Sequence, residues 1–335
     1  MLKRVGVDIG FIDCKAVADG GATVDVFPAV LGLAESSAKV GVGLGRRRTR
    51  TQRIEYEGRT YFLGEDALTE SRMTANRQDA GRIGSVEERV LMLASLSRLN
   101  VDEALIVTGL PVMWWDHRRR LVRSWVGRHE IAWNGKPRTI TVHEVRPVWQ
   151  PFGSFYARFL DQEGRATADD ATMMAGFGVV DVGGNTTDLS GIVKLRPFSK
   201  WSRGVQLGVG NALEAVSADL EERYGVHRPV AELSVAMRNG GTIAIYRETV
   251  DLRPLVEARM QALADEVVSV SSRLWGQADR FHTVLVSGGG AALMGKALVR
   301  AFPHNAEVLP RPGLSNALGF ARFAQRRIFK ADRVG

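Results

Sequence analysis

The chain has 335 residues, 45 of them lysine or arginine against 37 aspartate or glutamate, for a formal net charge of +8. Apolar residues make up 45% and charged residues 24%, which excludes a disordered or fibrous chain, and the length suits about two domains with cores of their own. No apolar run reaches the ~20 residues of a membrane span, the start lacks the apolar core of a signal peptide, and the single cysteine, Cys14, excludes an internal disulfide or a cysteine metal cage.

These features point to a cytoplasmic protein. Residues 4–10, RVGVDIG, read as an apolar strand running into Asp8-Ile9-Gly10, with a return strand over 15–17. Residues 46–53, RRRTRTQR, carry five arginines, and two readings stand: a solvated loop inserted into the first half, or a contact with a filament neighbour, DNA or a nucleotide. The overall charge adds little, because 37 of the 45 basic residues are arginines spread along the whole chain. Ser85 and Glu88 have capping-box spacing, with Ser85 placed to accept from the amide three residues on and Glu88 to reach back. Val86, Val90, Leu93 and Ala94 follow at helical spacing. A strand over 104–108 stops at Gly109-Leu110-Pro111, and a basic helix is predicted over about 114–127.

Residues 176–184, GFGVVDVGG, repeat the strand and glycine turn about half the chain later, with a return strand over 187–193. Helices are predicted over 211–224 and 255–275, each ended by a glycine, Gly225 or Gly276. A strand over 282–287 then enters Gly288-Gly289-Gly290. The alternation predicts an α/β fold made of two similar halves.

Glycine, at 36 residues, is enriched, and its clusters carry the chemistry. Phosphate recognition needs approachable backbone amides, a cation, and a carboxylate that holds hydrated magnesium. Asp8-Ile9-Gly10 supplies a carboxylate and a glycine turn, and Lys15 lies where it can lean back along the hairpin toward a phosphate. Asp181-Val182-Gly183-Gly184-Asn185-Thr186-Thr187-Asp188 supplies the same parts again. Two such hairpins facing each other would clamp a polyphosphate from both sides.

At these residues the sequence resembles the actin-like ATPases, and among them the bacterial plasmid-segregation actins of the ParM/Alp group. Asp8-Ile9-Gly10-Phe11-Ile12-Asp13-Cys14-Lys15-Ala16 is similar to the superfamily's first phosphate motif, whose Asp-to-Lys spacing and Cys-Lys-Ala ending look the same in eukaryotic actin. Asp181 to Asp188 resembles the second phosphate motif. The segment 146–156 looks like the first interdomain connection, with Gln150 where the family places its water-orienting residue. Ser287-Gly288-Gly289-Gly290-Ala291 resembles the adenosine motif, and the segment 310–320 the second connection. Thr108-Gly109-Leu110-Pro111 and the segment 62–67 are similar to elements of the segregation actins.

The resemblance implies a two-lobed actin-like fold of two RNase H-like domains with the nucleotide in the cleft between them. Domain I would span 1–150, with an inserted subdomain at about 31–80 and a C-terminal segment at about 314–335 returning to it, its helix over about 314–330. Domain II would span 151–313, with an insertion at about 205–255. The implied ligands are ATP or GTP with Mg²⁺. Asp8 and Asp181 would hold the ion through its waters, and Gln150 and Asp181 would be catalytic. Gly10, Phe11, Ile12, Lys15, Gly183, Gly184, Asn185 and Thr186 would contact phosphates. Gly288, Gly289 and Gly290 would lie against the adenosine. Glu232 is a candidate for the ribose, beside its plain reading as a solvated carboxylate at a helix start. The implied partners are further copies of the chain in a filament and a DNA-binding adaptor that couples it to DNA cargo, with no membrane. A small-molecule kinase or a nucleotide-gated scaffold on the same superfold are the other readings.

Two positions depart from the family pattern. Ile12 stands at a hairpin tip where Gly or Ser is usual, which predicts a different turn type, since a β-branched residue tolerates positive φ poorly. Asn185 replaces a glycine, and Asn visits the left-handed region readily. Gly290 to Ala297 has the spacing of a P-loop, but Ala297 lacks the magnesium-binding hydroxyl, so Lys296 is expected to face solvent. Lys15 beside Cys14 favours a depressed thiol pKa, against which stands the reading of Cys14 as a small buried strand residue. The six histidines have no metal spacing, and the seven tryptophans form no stacking platform for single-stranded nucleic acid.

Overall fold

In the computed structural model the described residues are 1–34, 51–71, 74–75 and 79–333. The first lobe contains β1 (Leu2–Ile9), β2 (Asp13–Ala18), β3 (Thr23–Pro28), β4 (Leu31–Leu33), β5 (Arg53–Tyr56) and β6 (Arg59–Leu63). These are followed by α1 (Glu65–Glu70), β7 (Thr74–Ala75), α2 (Val86–Arg98), β8 (Glu103–Leu110), α3 (Arg118–Trp125), β9 (Gly127–Trp133) and β10 (Lys136–Trp149). The second lobe follows with α4 (Pro151–Phe159), α5 (Asp170–Met173), β11 (Gly176–Val182), β12 (Thr187–Val193), β13 (Arg196–Val205), α6 (Val209–Tyr224) and α7 (Val230–Arg238). It continues with β14 (Thr242–Ile245), β15 (Glu248–Asp251), α8 (Arg253–Trp275), β16 (Thr283–Ser287), α9 (Ala291–Ala301) and β17 (Ala306–Val308). The last helix, α10 (Ser315–Ala324), returns to the first lobe.

Both lobes share one strand order. The first sheet runs β3-β2-β1-β8-β10 and then extends through β9-β5-β6-β4-β7, while the second runs β13-β12-β11-β16-β17. In each, the first three strands are antiparallel neighbours and the next two add in parallel. This is the duplication that the two Asp-ended strands announced. Parallel central strands must be covered on both faces, and both are. Val5 and Val7 of β1 enter a core with Val90, Leu93 and Ala94 of α2. On the other face Gly6 lets α10 approach so closely that a Cβ there would lie 2.3 Å from the Ala317 carbonyl oxygen. In the second lobe α4 covers one face through Phe152, Phe155 and Phe159, and α6, α8 and α9 cover the other.

Helices α4 and α10 therefore serve different lobes, and they cross. A Cβ on Gly319 would sit 1.7 Å from the Gly153 carbonyl oxygen, so the crossing needs glycine on this face. Tyr156 stacks on Phe323 beside it, with centroids 4.2 Å apart.

Three expectations change in detail. The helix predicted over 114–127 begins only at Arg118, because a 3-10 turn, Val112–His117, follows Pro111 and turns Trp114 onto Phe11. The last helix stops at Ala324, short of 330, and the chain folds back so that Phe329 joins Leu105 and Val107 in a small core. The capping box at α2 is half made: Ser85 accepts from Glu88 N–H at 3.2 Å, but Glu88 accepts from Gly84, whose φ of +71° turns its amide toward the carboxylate. Of the arginine run, residues 46–50 lie outside the described residues, and Arg53 opens β5.

Candidate functional site

The first hairpin pairs Asp8 with Lys15 across β1 and β2, and the Gly10 N–H donates to the Asp13 carbonyl at 2.9 Å. Phe11 and Ile12 form its tip, and neither has positive φ, so the β-branched residue is accommodated without strain. The two tip side chains part company. Phe11 packs into the first lobe against Trp114, with ring centroids 5.5 Å apart, while Ile12 packs against the core of the second. Ile12 is thus a bridge between lobes.

The second hairpin pairs Asp181 with Asp188, and the Gly183 N–H donates to the Thr186 carbonyl at 2.8 Å. Asn185 does not use the left-handed region expected of it, since neither Gly184 nor Asn185 has positive φ. What the tip needs is thinness. A Cβ on Gly184 would lie 2.9 Å from Ile12 Cγ1, so the two hairpins touch. Behind them the start of α6 is bound to this tip, with the Gly210 N–H donating to the Gly184 carbonyl at 2.6 Å.

The charged groups converge between the hairpins. Asp8 and Asp181 are both buried, and Lys15 Nζ lies 3.5 Å from Asp8 Oδ2. Burial disfavours the Lys15 charge, but Asp8, Asp13 and Asp181 outweigh it and hold its pKa above the ordinary value. Asp181 is pushed up to about 6, chiefly by burial and further by Asp8, against the pull of Asn316, Lys15 and Ser287. Asn316 of α10 donates to Asp181 Oδ2 at 2.8 Å and accepts from Ser154 of α4 at 2.8 Å, which ties the carboxylate to both crossing helices. Asp188 is pushed up to about 8 by burial and by Asp181, although the Val112 N–H of the first lobe donates to it at 3.2 Å.

A cleft of about 220 Å³ opens on these groups. Asp8, Gly10, Phe11, Ile12, Lys15 and Gln150 line it from the first lobe and its connection. Asp181, Gly183, Gly184, Thr186, Gly288 and Gly289 line it from the second. Gly288, at φ +86°, lies so close to β11 that a Cβ would stand 2.2 Å from the Val182 carbonyl oxygen. Gly289 has nothing within 4 Å of its Cβ position, and the nearest atom to a Cβ on Gly313 is the Gly289 Cα at 3.7 Å, so two glycines border an open slot. Gln150 is half-buried at the start of α4, its N–H donating to the Leu110 carbonyl at 2.9 Å.

Three predicted residues are not among the lining residues. Asn185 faces the start of α6, Gly290 donates its N–H to the Val182 carbonyl, and Glu232 pairs with Arg228 at 3.5 Å. Lys296 is exposed on α9, away from the cleft, which removes the P-loop reading. The Cys14 thiol is fully buried and pushed up, above all by that burial, so Lys15 does not activate it. Asn316, Gly313 and the Val112 amide were not singled out from sequence. Asn316, a lone amide in an apolar helical stretch, was the legible signal among them.

Among the described residues no three or more His, Cys, Asp or Glu side chains form a cage for a bare metal ion. Two buried carboxylates from facing hairpins do suit an ion that keeps most of its water and takes other ligands from phosphate, as Mg²⁺ does.

Two lobes of one strand order, joined by two crossing helices and closing on paired Asp-ended hairpins, define the actin-like fold. The comparisons agree. Residues 6–153 match the family of actin-like proteins, N-terminal domain, and residues 179–300 match the archaeal actin homologue MreB-like C-terminal domain. The chain belongs to the actin-like proteins. It is similar to a ParM in a 15-stranded filament from Clostridium botulinum at 19% identity and TM-score 0.77, covering 96% of this chain and 99% of that one. It is similar to the archaeal actin homologue Ta0583 in complex with ADP at 21% identity and TM-score 0.77, covering 97% and 99%. It is also similar to the actin-like protein Alp7A at 16% identity and TM-score 0.71, covering 100% and 97%. No curated protein matches the chain.

Proposed function

We propose that the protein is a nucleotide-dependent, filament-forming ATPase that moves or positions DNA through an adaptor protein, with domain I at 1–150 and domain II at 151–313. The observation that carries the nucleotide reading is the meeting of the two hairpins, Ile12 against Gly184, with Asp8, Lys15 and Asp181 around one cleft. The Lys15 ammonium and the hairpin amides would neutralise phosphate charge. Asp8 and Asp181 would hold Mg²⁺ through water, and the ion would neutralise charge that develops on the phosphates. Gln150 would orient the attacking water, since hydrolysis asks the protein mainly for alignment and charge stabilisation. ATP is favoured over GTP by the ADP-bound neighbour, and self-assembly by the ParM filament neighbour. Gln150 sits where α4 leaves the first lobe, so lobe rotation on assembly would complete the site and link polymerisation to hydrolysis.

The test is sedimentation and phosphate release with ATP, ADP and a non-hydrolysable ATP analogue. Pelleting with ATP and with the analogue, but not with ADP, is expected. Gln150→Ala should slow phosphate release at least tenfold, a typical lower bound for losing a positioning group, with nucleotide affinity nearly unchanged and polymer that persists longer. Nucleotide binding without any pelleting would leave the scaffold reading in place of the filament.

A further inference from the structure

The cleft does not end at the hairpins. It continues past Phe11 into the first lobe, where Arg82, Glu88 and Trp125 line its deep end. Arg82 is 6% exposed, and a buried guanidinium is normally paired with a carboxylate or saturated with carbonyl oxygens. Among the described residues its Nη2 has no acceptor, and no carboxylate lies within ion-pair distance of it. Its close contact is the Phe11 ring, with the guanidinium carbon 5.0 Å from the centroid. Glu88 feels the Arg82 charge, but it is turned to the Gly84 N–H at 2.6 Å, and burial raises its pKa despite Arg82. The Trp125 indole N–H faces the Glu88 carboxylate and pulls its pKa back down, so Glu88 is the acceptor that Trp125 has. A buried cation short of an acceptor therefore sits one aromatic ring away from the phosphate hairpin.

The geometry points to Arg82 as the anchor of a phosphoryl-oxyanion subsite at the deep end of the cleft. A phosphoryl group is the ligand that fits, since its oxygens accept from a guanidinium fork and it belongs beside a hairpin of this type. The oxyanion has two sources, the terminal phosphate of a bound triphosphate or free inorganic phosphate. The inference rests on the proposal that nucleotide occupies this cleft.

Calorimetric titration of the full chain separates the cases, using ADP, a non-hydrolysable ATP analogue, and inorganic phosphate added to the ADP-bound protein. Arg82→Gln should weaken binding of the analogue, or of phosphate, by on the order of tenfold, the usual scale for a charged hydrogen bond. ADP affinity should stay within about twofold, and Arg82→Lys should recover part of the loss. Loss confined to the analogue makes the terminal phosphate the occupant, and loss confined to phosphate makes it a separate site. Unchanged binding of both, in a variant whose thermal unfolding shows it folded, overturns the inference, as does an equal loss for ADP. If Arg82→Gln does not fold, Arg82→Lys decides, because it keeps the charge and removes the fork: unchanged analogue and phosphate affinities overturn the inference. A wild-type chain that binds no nucleotide would remove the cleft reading itself, whereas normal ADP binding with an indifferent Arg82 removes this inference alone.

Discussion

Asp188 shows how burial turns a motif residue into a pH-sensitive one. Its ordinary pKa is near 4, and in the fold it is pushed up to about 8 by burial and by Asp181. The folded state therefore holds a proton that the unfolded chain has lost, and linkage makes stability fall as pH rises between about 4 and 8 and level off above. Asp181, raised to about 6, adds a slope of the same sign over the lower part of that window. Asp188→Asn keeps an oxygen to accept from the Val112 N–H and removes the titration. Thermal unfolding of the nucleotide-free protein from pH 5 to 9 should show a flatter profile for the variant, with a gain on the order of 1 kcal/mol or more over wild type at pH 8–9. A variant that runs parallel to wild type would place the proton elsewhere.

At the scale of elements, the crossing of α4 and α10 is the tightest helix contact described. Both helices approach their neighbours through missing side chains: Gly153 and Gly319 at the crossing, and Gly6 where α10 lies on β1. Overpacking such a contact forces backbone movement that costs about 1–3 kcal/mol and often more. Gly319→Ala would place a Cβ 1.7 Å from the Gly153 carbonyl oxygen, with the backbone of both helices unable to yield separately. Denaturant unfolding should show a loss at or above that range. The same shift would disturb Asn316, one turn earlier on α10, so nucleotide affinity should fall along with stability. A stable variant with weakened nucleotide binding would show instead that the helices slide apart without unfolding.

The whole molecule is held closed by contacts that reach from lobe to lobe. Arg238 at the end of α7 pairs with Asp13 at 2.6 Å, Asn239 reaches Glu65 at 3.5 Å, and Ile12 lies against Gly184. The first pair is partly exposed, so its worth is that of a surface ion pair, about 0.2–1 kcal/mol, and it is screened by salt. Arg238→Ala should leave the unfolding temperature nearly unchanged and speed ADP release by up to about fivefold, measured by stopped-flow chase. Added salt should produce the same acceleration in wild type and little in the variant. Equal salt sensitivity in both would mean that other contacts hold the cleft.

Local sequence determined the two Asp-ended hairpins, the caps at Ser85 and Gly225, and the duplicated α/β plan, because turn chemistry and apolar runs are written within a few neighbouring residues. The hairpin part of the cleft was legible for the same reason: glycines and carboxylates at strand ends are local signals. Tertiary structure decided what depends on partners distant in the chain. The Ile12 tip reads as a misfit until Gly184 of the other lobe is placed against it. Asn316 becomes a site residue only when α10 packs back on β1 and meets Asp181 of the other lobe. Arg82 is one arginine among 37 in the sequence. Burial without an acceptor sets it apart, and burial is a property of the fold that no window of sequence contains.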